Sequence, residues 1–295
     1  MLPNFLILGA PRSGTTYLHR CLEEHPDVYM ARLSYSGDIN FFNPNSEISA
    51  IRYYDRGIAW YEALFDGRRH ETAVGEKTAH YFADPEVPAR IFAHIPEAKL
   101  VVVIRNPVER AYSNFWYSRG KLPPGLDFIE ACHSPAGRQL RLLESGLYYQ
   151  HLRRFLEFFP RDRIHIIVHD FLRSDPRAQL ARLFDFLGVD STFVPSSIDC
   201  RLNGAIGPGT NIYRIRAVGH HVKQHHRRVF RMLKKLPTSW FEQYLGRRMS
   251  RISASAGYPP MARADRRRLE AFFDEDNREI GRHLSIDLQS MWRSS

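Results

Sequence analysis

Short continuous apolar runs, separated by long mixed stretches, set the frame of this chain. Phe5-Leu6-Ile7-Leu8 ends in Gly9, Leu100-Val101-Val102-Val103-Ile104 is rich in β-branched residues, and Ile164-His165-Ile166-Ile167-Val168 repeats the pattern. Runs this short, bounded by turn formers, suit strands buried on both faces, the kind found in parallel sheets. Thr15 to Glu24 follows the first run with helical spacing, and Pro107 to Ser118 follows the second, opened by a proline that tolerates a helix start. Ala73 to Lys77 reads as a further strand. Strand-to-helix units in this order predict an α/β fold, a parallel sheet flanked by helices with right-handed crossovers. Asn203 to Thr210, with three glycines and Pro208, reads as a loop or boundary, and the chain shows no internal repeat.

Composition narrows the class. At 295 residues, with 43% hydrophobic and 25% charged, the chain belongs with ordinary globular proteins and not with disordered, collagen-like or disulfide-framework ones. We expect a single domain over 1-295 with a basic helical elaboration at about 205-262. The net charge of +10 is local, because Arg201 to Arg251 alone carries twelve Lys and Arg against one acid, Glu242. Such a field attracts lipid head groups, polyanionic sugars, phosphorylated nucleotides or nucleic acid. Within it, residues 212-251 combine a basic helix-like stretch with Trp240, Phe241 and Tyr244. That stretch reads as a solvated basic face, as a substrate surface or as contact with an anionic membrane. Its histidines, His220, His221, His225 and His226, lack a nearby carboxylate or cysteine to complete a metal site, so no metal is expected. Cys21, Cys132 and Cys200 are odd in number and widely spaced, which suits a reducing compartment. No apolar run reaches the roughly 20 residues of a membrane span, and MLPNFLILGA lacks a basic head and a cleavage site. A cytoplasmic protein, peripheral at the membrane if 212-251 binds lipid, is the expectation.

The chemistry begins at Gly9-Ala10-Pro11-Arg12-Ser13-Gly14-Thr15-Thr16, placed between a strand and a helix where backbone N–H groups and the helix dipole hold anions. The segment matches a phosphate-binding G-x-x-x-x-G-K-[ST] loop at both glycines and at Thr16, but Thr15 stands where the lysine belongs and a cation, Arg12, lies inside the loop. The second apolar run ends in Arg105, where a nucleotide triphosphatase would carry an Asp that supports Mg²⁺. Arg105 offers a bidentate fork for a phosphate, and Ser113, about two turns into the following helix, can converge on the same group. Two separate anion sites on neighbouring strand ends describe a nucleotide phosphorylated at two distant points, as 3′-phosphoadenosine 5′-phosphosulfate (PAPS) is.

LILGAPRSGTTYL and VVVIRNPVERAYSNF together resemble the two donor-binding signatures of the PAPS-dependent sulfotransferases. Asp38-Ile39-Asn40-Phe41-Phe42 and Gly75-Glu76-Lys77-Thr78-Ala79-His80-Tyr81-Phe82 are similar to segments of heparan sulfate sulfotransferases and their bacterial relatives more than to the aryl and steroid enzymes. The resemblance runs from Phe5 to about Asn203, with a family-like tail near Leu269 to Trp292. It implies a P-loop kinase-like sulfotransferase fold, PAPS as co-substrate, PAP (the 3′,5′-bisphosphate left after transfer) as product, and no metal. It places Arg12 where the family usually has a sulfuryl-contacting Lys. Ser13, Gly14, Thr15 and Thr16 would then wrap the 5′-phosphate, and Arg105 and Ser113 would hold the 3′-phosphate. Asp38 falls at the catalytic Glu that takes the acceptor proton, Asn40 where that motif often has His, and Lys77 near the sulfuryl group. Arg201 and Asn203 belong loosely to a late loop that closes over the donor.

An Asp of ordinary pKa near 4 is a weak base, so partial burial is expected to raise that of Asp38. His80, three residues after Lys77, is the competing base, with an imidazole suited to proton abstraction near neutrality. The acceptor is expected to be a hydroxyl, or an amine, of a carbohydrate, glycolipid or secondary metabolite. Two other readings remain open from the residues: a kinase using the same loop on a nucleotide or small molecule, and a basic binder of nucleic acid or membrane built on Arg201 to Arg251.

Overall fold

The computed structural model describes residues 1–33, 37–44, 53–200 and 258–293. Its strands are β1 (Phe5–Gly9), β2 (Val28–Ala31), β3 (Ala73–Lys77), β4 (Lys99–Ile104) and β5 (Ile164–Val168). They form one sheet in the order β2-β3-β1-β4-β5, every neighbouring pair parallel. The helices are α1 (Thr15–Glu23), α2 (Ile58–Ala63), α3 (Val87–His94), α4 (Pro107–Ser118), α5 (Phe128–His133), α6 (Pro135–Gln139), α7 (Tyr148–Leu156), α8 (His169–Ser174), α9 (Pro176–Leu187), α10 (Arg263–Leu284) and α11 (Leu288–Arg293). The expected strands and the first two expected helices stand within a residue or two of where the apolar pattern puts them. β2 carries no such pattern: its four residues, VYMA, lie at the sheet edge beside β3.

The chain divides into two compact units: Met1–Ala111 with Leu143–Cys200 and Arg267–Ser295, and Tyr112–Leu142 with Arg201–Arg266. The first unit holds the whole sheet, and the pleat of the strands builds its core on both faces. Leu6, Leu8, Leu100, Val102 and Ile104 join one apolar cluster with Ile91 of α3, Tyr148, Leu152 and Phe155 of α7 and Ile280 of α10. The alternate residues Phe5, Ile7, Val101 and Val103 join another with Leu18 and Leu22 of α1 and Leu180 and Leu183 of α9. Full burial of each such side chain contributes about 1.5–3 kcal/mol, which is why these strands read as unbroken apolar runs. Gly75 lets β3 and β1 approach: a Cβ there would lie 2.3 Å from the Phe5 ring.

In the second unit, Tyr112 and Phe115 of α4 pack with Phe128 of α5, and Trp116, packed on Phe115, stacks on Tyr258 with ring centroids 6.0 Å apart. Asp127 and Glu130 close a reciprocal capping box that starts α5. Among the described residues, no helix is long and apolar enough to cross a membrane. The basic segment 212-251 and its histidines lie outside the described residues, as does most of the 205-262 elaboration.

Candidate active site

The phosphate-loop sequence does fold as a loop between β1 and α1. Arg12 (φ 69°) and Gly14 (φ 102°) adopt left-handed backbone, and the Ser13 amide donates to the Ala10 carbonyl at 3.3 Å. Gly14 caps α1 without a side-chain hydrogen bond. The first-turn amides of Thr15 and Thr16 have no acceptor within the helix, so they are available to an anion lying on its axis. Ser13 is buried and Thr16 half-buried.

Because β1 and β4 are neighbours, Arg105 at the end of β4 lies beside this loop. Its Nη1 donates to the Arg12 carbonyl at 3.2 Å, and its Nη2 is 3.9 Å from the Glu109 carboxylate. The buried Tyr148 hydroxyl donates to the Arg105 carbonyl at 2.7 Å and accepts from the Arg105 amide at 3.3 Å. Burial pushes the Tyr148 phenol above its ordinary value, against the pull of the Arg110 and Arg105 guanidiniums. His169, at the start of α8, packs against Gly14. Burial, with Arg105 adding to it, lowers its pKa to about 4, so the imidazole beside the loop is neutral at physiological pH. Ser113 is found buried on α4 in the second unit, its Oγ 3.4 Å from the Tyr258 hydroxyl.

The end of β3 supplies the second half of the constellation. Asp38 forms a parallel bridge with Lys77, and the Lys77 Nζ stands 3.0 Å from Asp38 Oδ1. The Ala79 amide donates to the same oxygen at 2.9 Å. The expected direction for Asp38 is reversed here. Burial does push its carboxyl up, but the Lys77 ammonium, the Ala79 amide and His80 outweigh burial and hold it below the usual carboxylate range. Sequence spacing could not show this, since the decisive cation stands on another strand. His80 is half-buried and close enough to Asp38 to act on its charge. Gly9 joins the two halves: with φ 142°, it lies so near the Ala79 carbonyl that a Cβ would meet that oxygen at 2.4 Å.

Asp38, Lys77 and His80 are therefore gathered at the end of β3, and Arg12, Ser13, Gly14, Thr15, Thr16 and Arg105 at the ends of β1 and β4. Arg201 and Asn203 lie outside the described residues. Sequence reasoning missed Tyr148 and the buried Glu76, although a carboxylate inside the apolar run Ala73–Lys77 was itself a signal. Among the described residues, no cluster of three or more His, Cys, Asp or Glu is placed to hold a metal ion.

Comparison with known proteins agrees with this geometry. The sulfotransferase domain family matches residues 2–281. Heparan sulfate glucosamine 3-O-sulfotransferase 6 of Mus musculus is 35% identical over 191 residues, which cover 63% of this chain and 52% of that protein. The bifunctional heparan sulfate N-deacetylase/N-sulfotransferase 2 of Bos taurus is 35% identical over 205 residues, 64% of this chain and 22% of its own length. The chain thus spans about half, or less, of the curated relatives it matches. In structure, a sulfotransferase from Alicyclobacillus acidocaldarius superposes with a TM-score of 0.70 at 24% identity, covering 99% of both chains, which shows the fold. The phosphate-loop-like turn after β1, the arginine ending β4 and above all the domain match over nearly the whole sequence lead to one assignment: this chain belongs to the sulfotransferase domain family.

Proposed function

We propose that this chain moves a sulfuryl group from PAPS to a hydroxyl, or less readily an amine, of a saccharide-containing acceptor. The observation that carries the reading is the Asp38–Lys77 pair, 3.0 Å apart, fixed through Ala79 against Gly9, where the anion loop begins. A base and a cation thereby stand at the mouth of a loop built for a phosphate. The relatives named for heparan sulfate sulfation support a saccharide acceptor over a secondary metabolite.

Arg12 and the first-turn amides of α1 would receive the 5′-phosphosulfate, and Arg105 the 3′-phosphate; the share given to Ser113 rests on the sequence motif. Asp38, held as a carboxylate, accepts the acceptor's proton as its oxygen attacks sulfur. The bond from sulfur to the 5′-phosphate oxygen breaks, and PAP leaves with the released charge. Lys77 and Arg12 meet that charge as it develops, so positioning and electrostatics supply most of the rate and no metal is required of the scheme. Among the groups that lower the Asp38 pKa, the Lys77 ammonium acts most strongly. As Lys77 turns toward the transferring group, the carboxylate loses its counter-ion and becomes a better base. A kinase reading is disfavoured because Thr15 replaces the lysine that would reach the β- and γ-phosphates.

The test is incubation with labelled PAPS and heparan-type oligosaccharides, with chelator present, followed by mass analysis. The reading expects the product to gain one sulfuryl group and PAP to be released. Label transfer from ATP with Mg²⁺, with none from PAPS, would refute it.

A further inference from the structure

Directly behind the Asp38–Lys77 pair lies a carboxylate that the proposed reaction does not use. Glu76 precedes Lys77 on β3, and the pleat sends the two side chains to opposite faces of the sheet. Glu76 is fully buried, and among the described residues the side chains bonded to it are hydroxyls and no cation. Tyr61 of α2 donates to its Oε1 at 3.1 Å, Tyr81 to the same oxygen at 2.9 Å, and Thr78 to Oε2 at 2.9 Å. The carboxyl oxygens accept from all three hydroxyls, so each hydroxyl points its hydrogen inward. Its lone pairs are then directed outward, and backbone amides occupy them. Thr78 Oγ1 accepts from the Ile39 amide at 3.2 Å and the Asn40 amide at 2.9 Å, while Tyr81 Oη accepts from the Phe42 amide at 3.0 Å.

All three amides belong to the segment that carries Asp38. Asn40 there holds a left-handed backbone, φ 60°, which is unfavourable for a residue with a side chain and persists only where its surroundings impose it. Phe41 and Phe42 fasten the same segment from the apolar side, Phe41 stacked on Tyr61 with centroids 4.3 Å apart. Tyr61 therefore touches both the carboxylate and the segment.

We infer that Glu76 is a positioning residue: through the hydroxyls of Thr78 and Tyr81 it locks the Ile39–Phe42 backbone and so fixes where Asp38 meets the acceptor. This rests on Asp38 being the base, but the lock itself can be measured without turnover. A carboxyl group suits the role because its two oxygens accept from the Thr78 and Tyr81 hydroxyls at once without competing for the amides.

Amide hydrogen exchange on the intact protein, comparing Thr78→Val, Thr78→Ser and wild type, tests it. Valine keeps the shape and removes the acceptor, whereas serine keeps the acceptor. Exchange in the peptide spanning 37–44 is expected to quicken about tenfold or more in Thr78→Val and to stay near wild type in Thr78→Ser, with the loop peptide 9–16 unchanged in both. With PAPS turnover in hand, kcat of Thr78→Val should fall by about 10- to 100-fold while PAP affinity holds, since a misplaced reacting group costs rate and not donor binding. If Thr78→Val does not fold, Tyr81→Phe, which frees only the Phe42 amide, should show the same split on a smaller scale. Unchanged exchange across 37–44, or a kcat loss matched by an equal loss of PAP affinity, overturns the inference. Absent sulfuryl transfer in the wild type would instead refute the function while leaving the exchange result to decide the lock.

Discussion

Two carboxylates stand at the end of β3, Glu76 on the strand and Asp38 bridged to its last residue, and their surroundings drive them in opposite directions. At the mouth, Asp38 meets the Lys77 ammonium and the Ala79 amide, and its pKa is held low. In the layer behind, Glu76 is bonded among the described residues to hydroxyls, and burial raises its pKa to about 7 against the help of Thr78, Tyr81 and Tyr61, with the Asp38 charge adding to the rise. Burial acts on both; what differs is whether a cation answers it. The charge that is kept faces the candidate site, where the proposed transfer needs a base, and the one that burial opposes sits behind it, where its proposed use is geometric.

The sharpest way to break that contrast is at Asp38. Asp38→Asn should lower kcat by about 10²–10⁴-fold with PAP affinity little changed, whereas His80→Asn should keep most of the rate. The reverse pattern in steady-state kinetics would make His80 the base and reduce the Lys77 pair to structure.

A smaller effect lies at the seam between the two halves of the site. Gly9→Ala must move the Ala79 carbonyl off 2.4 Å and bear a positive φ, at a cost of about 1–3 kcal/mol. A lower melting temperature together with weaker PAP binding is expected; weaker binding at an unchanged melting temperature would mean the seam bends freely.

The pH dependence of stability offers another way to sharpen the contrast. Glu76 has a folded pKa of about 7, above its unfolded value near 4.5, so the folded chain binds more protons between them. Its contribution to stability therefore falls as pH rises through that window, by about 3 kcal/mol in all. Asp38 has the opposite sign: its stabilisation is present above the unfolded carboxylate pKa and is lost as pH drops below it. The groups facing Glu76 are Tyr61 from α2 and Thr78 and Tyr81 from the segment after β3, with the Asp38 charge acting from the mouth. Of these only Asp38 titrates on the acidic side, below the Glu76 window. Melting curves of Glu76→Gln from pH 5 to 7 should thus be flatter than those of the wild type; equal slopes would place the titrating group elsewhere.

Much of this molecule was legible because its signals are local. Strands buried on both faces announce themselves as apolar runs, and the loop between β1 and α1 is written in closely spaced glycines and hydroxyls. Arg105 was readable for the same reason, as a charge ending an apolar strand. β2 was not, since a four-residue edge strand leaves too short a pattern. The direction of the Asp38 pKa was misjudged because Lys77 reaches it only through strand pairing, and the roles of Glu76, Thr78 and Tyr148 depend on hydrogen bonds between segments far apart in sequence. Glu76 did leave a trace: a buried carboxylate in an apolar strand must find partners.

The central claim is that the ends of β1 and β4 grip a nucleotide at two separate phosphates. Calorimetric titration of PAP against ADP, into wild type and Arg105→Ala, tests it most directly. The account predicts that the wild type prefers PAP, and that Arg105→Ala loses about 10- to 100-fold in PAP affinity, the scale of a charge-assisted pair, while binding ADP as before. Equal affinity of the wild type for PAP and ADP, or PAP binding indifferent to Arg105, would contradict it.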